Sequence, residues 1–302
     1  MKIGIGADSR GIALCMLAVL LWAGIGIFIK NIEHISPIGI TLGRLLLGSL
    51  MLLIIILSST KIRIDFFASK KHLGFYTFIA LVMSVHFIFA TLGYHYSTVA
   101  NAALLTNTMP IFVPILASIF LIETVTRRDI IGIVVAFAGI IIIFYAEGLS
   151  FSGNYFWGNI AALIAAVLLA IYTIISKTEG QKHQPIIVMF WMCTISAGLI
   201  FIGSMLHKQP ILDRVIYSDL YNLAGLAIVG TFGHLAYFSC LKHIRATTAS
   251  SIAMASPIVA MIYASLLISE RYTILNLIGI SICLIGIAIT VTSAKGVKPA
   301  GT

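Results

Sequence analysis

The chain has 302 residues, 60% of them hydrophobic and only 10% charged, with a formal net charge of +9. A soluble domain carries about 25% charged residues, so a soluble globular protein is excluded. The basic excess sits in short segments between apolar runs, which excludes a phosphate-tracking nucleic-acid surface and leaves a polytopic membrane protein.

Ten residues containing Lys2 and Arg10 precede the first apolar run. That run lasts about 20 residues with no small-residue cleavage site after it, so it reads as a first transmembrane helix and not a signal peptide. Spans of this length recur along the chain. The expected helices cover 11–31, 38–58, 73–96, 99–122, 128–146, 156–176, 186–206, 221–242, 246–269 and 272–293. The two longest connectors, 59–72 and 207–220, are charged. Cys15, Cys193, Cys240 and Cys283 all lie within apolar runs, without metal or disulfide spacing.

Lys and Arg set the orientation. With a cytoplasmic N-terminus, fourteen of the nineteen fall on the inside, and only Lys30, Lys208, Arg214 and Arg271 on the outside, with Arg44 within a span. The positive-inside rule therefore predicts both termini in the cytoplasm.

The chain also repeats itself. Pro110, Glu123, Thr126, Gly132 and Gly139 recur as Pro257, Glu270, Thr273, Gly279 and Gly286, each pair 147 positions apart. Gly11, Ala18 and Lys30 recur at the same offset as Gly158, Ala165 and Lys177. Residues 1–150 and 151–302 are expected to be two five-helix copies. An odd number of spans makes the second copy enter the membrane from the opposite side, as in alternating-access transporters.

The ten-helix 5+5 plan, LLWAGIGIFIK in the first span, GRLLLGSL around Arg44, LKHIRATTASSIAMASP before Pro257, and the doubled P…E…G…G blocks resemble the drug/metabolite transporter superfamily, specifically its EamA-type permeases. The resemblance covers nearly the whole chain. It implies helices 1–4 and 6–9 around a central cavity, with 5 and 10 at the periphery, in a prokaryotic inner membrane. One departure is that Trp191 and Met192 stand where an echo of Arg44 would fall.

His86 and His234 sit near mid-depth in the third span of each copy. An ionisable residue at that depth usually faces protein interior or water. Histidine suits proton transfer near neutral pH, and the alternative is a neutral ring bonded to a neighbour. In the fourth span Asn101, Thr106, Asn107 and Thr108 lead to Pro110 and Pro114, with Ser256 and Pro257 at the matching place. Proline frees a carbonyl one turn back, making Pro110 and Pro257 candidate hinges and their neighbours candidate solute contacts. Trp22 and Tyr237 are the leading aromatic cavity candidates.

Lys30 with Glu270, and Lys177 with Glu123, are candidate gate pairs at opposite faces, and Arg44 is a structural or gating candidate that could also meet a substrate carboxylate. The competing reading is that the glutamates only cap turns. Thr126-x-x-Asp129 and Thr273-x-x-Asn276 look like N-cap signals for the fifth and tenth helices. The small residues spaced along those two helices read as scaffold or as a dimerisation face.

No Walker motif is present, so transport would draw on a gradient. The expectation is a secondary transporter of small organic solutes (amino acids, metabolites or drugs) with protons as a possible coupling ion. Export rests on the resemblance alone. The alternatives are an uptake carrier or exchanger for a nucleotide derivative or sugar phosphate and, remotely, an intramembrane enzyme. No cofactor, metal or nucleic-acid partner is expected, and the protein would act in the bilayer as a monomer or homodimer.

Overall fold

The computed structural model describes residues 5–97, 99–121, 123–146, 153–206, 216–268 and 273–293. Among them ten helical stretches are long and apolar enough to cross a membrane, and no strand occurs. Span 1 is α1 (Ile5–Trp22) and α2 (Ile25–Lys30), span 2 is α3 (Pro37–Ser58), and α4 (Thr60–Ala68) leads to span 3, α5 (Leu73–Tyr96). Span 4 is α6 (Val99–Thr106) and α7 (Met109–Phe120), and span 5 is α8 (Arg127–Ala146). The second copy follows with α9 (Phe156–Lys177), α10 (Pro185–Leu206), α11 (Tyr217–Cys240), α12 (Ala246–Ala253) with α13 (Ser256–Ile268), and α14 (Ile274–Ser293).

Three spans are broken, and the breaks have local causes. Spans 4 and 9 break at Asn107–Thr108 and at Met254–Ala255, 147 positions apart and just before Pro110 and Pro257. Proline has no N–H, so the carbonyl four residues earlier loses its helical bond. Thr106, Asn107 and Thr108 then turn their side chains back onto the carbonyls of Ala102, Ala103 and Leu105, at 2.7, 2.8 and 2.6 Å. Span 1 breaks at Ala23–Gly24, where the Gly24 amide bonds to Leu21. The carbonyl of Leu20, left over by that shift, accepts from the Tyr263 hydroxyl at 2.9 Å. Its counterpart α9 is unbroken.

The two copies are related by a two-fold relation visible in single contacts. Gly11 packs against His243 and Ile244, and Gly158 packs against Tyr96 and Ser97. Lys30 Nζ donates to the Ser97 carbonyl (2.9 Å), and Lys177 Nζ to those of Ile244 (2.8 Å) and Leu241 (2.7 Å). In each case residue i of one copy meets residue j of the other, and the roles then swap at the same offset, as a two-fold axis requires. With five spans per copy, the two repeats are inverted.

α8 and α14 pack on each other through their small residues. Gly132 faces Gly286 and Thr290, while Gly139 faces Gly279 and Cys283. The glycine face is therefore used within the chain, and the expectation that it might dimerise two chains fails. Both helices start with the expected cap. Asp129 accepts from the Thr126 amide (2.8 Å) and Asn276 from the Thr273 amide (3.1 Å).

Span 8 begins four residues before its expected start, at Tyr217. Asp219 lies in that first turn, where a carboxylate favours the helix dipole, and it is buried, accepting from the Glu33 amide. Of the second long connector, 207–215 lies outside the described residues.

Candidate functional site

A cavity lies between mid-depth and the end of the molecule that carries Lys30. Span 1 contributes Trp22, Ile25 and Ile29, span 2 Arg44, and span 3 His86, Thr91 and Tyr94. Thr106, Asn107, Met109 and Pro110 come from span 4, Leu169 from span 6, His234 from span 8, and Ala253 and Ser256 from span 9. α8 and α14 contribute nothing. The cavity offers about 90 Å³ to the centres of water-sized molecules. One bound water needs about 10–15 Å³ on that measure, so there is room for a small solute. A smaller void on the far side of Arg44 and His234 is lined by Phe87, Met189, Cys193 and Thr231, bringing span 7 to the same centre.

Six of the expected cavity residues thus meet: Trp22, His86, Thr106, Asn107, His234 and Ser256. The hinge candidate Pro110 and the gate candidate Arg44 join them. Two do not. Tyr237 is fully buried behind Trp22, with ring centroids 4.9 Å apart and its hydroxyl 3.2 Å from Thr173 Oγ1. Its spacing from His234 places it on a neighbouring face, but Trp22 occupies the intervening position. Asn101 is fully buried and bonds Asn159 at 3.1 Å, away from the cavity. Pro257 is buried at its break and is not part of the lining.

The histidines are held differently. His86 Nδ1 is 2.9 Å from the Ala165 carbonyl, which can only accept, so Nδ1 carries the proton and Nε2 is the acceptor of the neutral ring. His234 stands among the rings of Trp22, Phe87, Tyr172 and His86, with Nδ1 buried and without a partner. The two ring centroids are 6.0 Å apart. In the repeat His86 corresponds to Gly233, and the reason is steric. A Cβ at Gly233 would lie 2.6 Å from Trp22 Cδ1 and 2.7 Å from Nε1. Gly233→Ala should push the indole out of its seat, costing about 1–3 kcal/mol as overpacking does. The checks are a lower unfolding midpoint and a changed Trp22 emission in a background with Trp157 and Trp191 replaced by Phe.

Toward the Lys177 end the cavity is closed. Met109, Tyr172, Thr173 and Tyr237 form a buried floor beneath it. Below the floor the expected pair of Lys177 with Glu123 does not form. Lys177 is taken by the two carbonyls at the end of α11, since an ammonium is a good terminator for unpaired helix carbonyls. Glu123 instead caps α12 across the molecule, accepting from the Ala246 amide (2.9 Å), the Thr247 amide (3.4 Å) and the Thr247 hydroxyl (3.1 Å). It does not cap the helix that follows it in sequence.

Arg245 completes this end, with Nε 3.8 Å from Glu123 and a terminal nitrogen 3.3 Å from Asp129 and 2.7 Å from the Thr124 carbonyl. Arg245 was visible only as part of a motif. The usable signal was that the first copy has Thr98 at that position, so the cation appears once. Beside it Lys242 bonds the carbonyls of His183 (2.6 Å) and Gln181 (3.2 Å). Burial, then the neighbouring His72, holds His183 below the ordinary imidazole range, and its Nδ1 lies 3.1 Å from the Tyr76 hydroxyl. Of the other expected pair, Lys30 with Glu270, Glu270 lies outside the described residues. Lys30 itself is engaged by Ser97.

Among the described residues no three His, Cys, Asp or Glu side chains converge as metal ligands.

The sequence pattern of the EamA-like transporter family matches residues 9–145 and again 156–292. An uncharacterized transporter of Archaeoglobus fulgidus is 28% identical over 91% of this chain and 96% of its own length. The uncharacterized transporter YoaV of Bacillus subtilis is 27% identical over 89% and 92%. Protein PagO of Salmonella typhimurium is 26% identical over 82% of each. A solved crystal structure superposes with a TM-score of 0.80 over 95% of this chain and 98% of that one, at 16% identity, a likeness of fold.

Proposed function

Because the chain belongs to the EamA-like transporter family, we propose that it exports a small organic solute across the prokaryotic cytoplasmic membrane by alternating access. The carrying observation is a small polar-and-aromatic cavity at mid-depth that is shut toward one end. The two-fold relation supports the rest of the cycle. In an inverted repeat each copy can adopt the shape of its twin, which reverses the side that is open. The paired breaks before Pro110 and Pro257 supply flexible points for that exchange, since their carbonyls are already released from helical bonding. The positive-inside count puts the closed Lys177 end in the cytoplasm. The direction of transport draws on the family likeness.

Proton coupling through His86 and His234 is the finer part of the proposal, supported by two imidazoles that share one cavity wall. The test is uptake into proteoliposomes across a panel of amino acids, metabolites and drugs, with and without a pH gradient. We expect at least one solute to move faster than into empty vesicles, and a pH gradient to accelerate it several-fold. Movement of none would sink the transport reading. A rate that ignores the gradient and survives His86→Gln combined with His234→Gln would remove proton coupling alone.

A further inference from the structure

We propose that the transported solute carries a single carboxylate, and that Arg44 binds it. The inference rests on the transport reading and adds to it the class of solute. Arg44 is 6% exposed and lines the cavity. Its guanidinium lies over the Phe87 ring, 4.2 Å from the centroid. Nε has no hydrogen-bond partner, and no carboxylate among the described residues approaches within 4 Å. None of the residues lining the cavity is Asp or Glu. A guanidinium stays charged at any physiological pH, and a buried charge with no counter-ion is strongly destabilising. Phe87 covers one face of the group but leaves the edge of the fork, where a carboxylate binds, unmatched. A snorkelling role would require an exposed head, and this one is buried.

Two other unpartnered polar atoms belong to the same wall. Trp22 Nε1 and His234 Nδ1 are both buried without a hydrogen-bond partner, and both residues line the cavity with Arg44. The indole N–H can only donate, which again suits an anion. Elsewhere the lining has an apolar part, Ile25, Ile29 and Leu169, and neutral polar groups on Thr91, Thr106, Asn107 and Ser256, fitting an uncharged body. The same charge count separates carboxylates from sugar phosphates. One guanidinium balances one negative charge, whereas a phosphate dianion would bring a second into a site with no other fixed cation. Position 191 is Trp where a copy of Arg44 would stand, so the second copy brings no matching arginine.

The experiment measures the unfolding midpoint of the purified protein with the twenty protein amino acids and with lactate, pyruvate and benzoate. Each carboxylate is paired with its amide, and benzylamine and glucose 6-phosphate are added. We expect every stabilising solute to bear one carboxylate and its amide to bind at least about tenfold more weakly, the scale of losing a buried charge-assisted pair. Arg44→Gln should erase that preference, and Arg44→Lys should restore part of it. The inference is overturned if no carboxylate stabilises the protein, if an amide, the amine or the sugar phosphate binds as well as the best carboxylate, or if Arg44→Gln keeps the preference. Should Arg44→Gln fail to fold, the carboxylate-to-amide ratio of the wild type decides alone. Proteoliposomes separate the two readings. Neutral or cationic solutes that move while carboxylates do not would end this inference and leave transport standing. A carboxylate that binds while no solute of the panel crosses would end the transport reading.

Discussion

Glu123→Ala should unlatch the end of the molecule that is shut in this structure. The carboxylate accepts from two amides and a hydroxyl at the start of α12 and lies beside Arg245, with its side chain 11% exposed. Hydrogen bonds to a charged group are each worth about 1.5–3 kcal/mol, and removing the acid also leaves Arg245 dependent on Asp129 and the Thr124 carbonyl. If these bonds exist only in the closed state, even about 2 kcal/mol shifts the open population by roughly 30-fold. Cys15 and Cys240 are native reporters, being fully buried near this end, with Cys15 Sγ against the Ala249 carbonyl. Their labelling by an impermeant thiol reagent should rise tens of fold in Glu123→Ala, while Cys283, fully buried in α14 with its Sγ toward the Met254 carbonyl, stays protected. Glu123→Gln should fall between, since an amide oxygen still accepts but carries no charge. Unchanged labelling with a lowered unfolding midpoint would mean that Glu123 is a helix cap and no latch.

The second large effect belongs to the scaffold. Gly139→Ala and Gly286→Ala should each destabilise the protein, although alanine is the better helix former by about 1 kcal/mol. A Cβ at Gly139 would lie 2.6 Å from the Gly279 carbonyl oxygen and 2.8 Å from Cys283 Cα. At Gly286 it would lie 2.7 Å from Ala136 Cα. These are backbone atoms, so no side chain can swing away and the two helices must separate. Overpacking costs about 1–3 kcal/mol and more where relaxation is blocked, which outweighs the propensity gain. Gly198→Ala is the matched control, because nothing lies within 4 Å of its added Cβ. Unfolding midpoints in one detergent should fall by several degrees for the first two and hold or rise for the third. A midpoint for Gly139→Ala equal to that of Gly198→Ala would remove the close seam between α8 and α14.

The sequence alone determined the membrane class, the ten spans and the five-helix repeat, and it pointed to several of the residues that meet at the cavity. These follow from run length, charge placement and a fixed offset, and all are local or counted along the chain. His86, His234, Trp22 and Asn107 were legible because polar or ring-bearing residues deep in a span stand out against an apolar background. Tertiary structure alone decided what each of them touches. In water a helix announces its buried face by its polar opposite, but lipid tails are as apolar as leucine. The rotation of a span about its own axis is therefore nearly silent in hydropathy. That silence is why Tyr237 was expected in the cavity it stands behind, and why Asn101 was grouped with its neighbours when it bonds Asn159. The Lys177–Glu123 pair was misread for a related reason. Lys177 and Glu123 have opposite charge and the right depth, but which partner each takes depends on the ends of α11 and α12. Their open carbonyls and amides compete with a side-chain charge, and at this closed end they win.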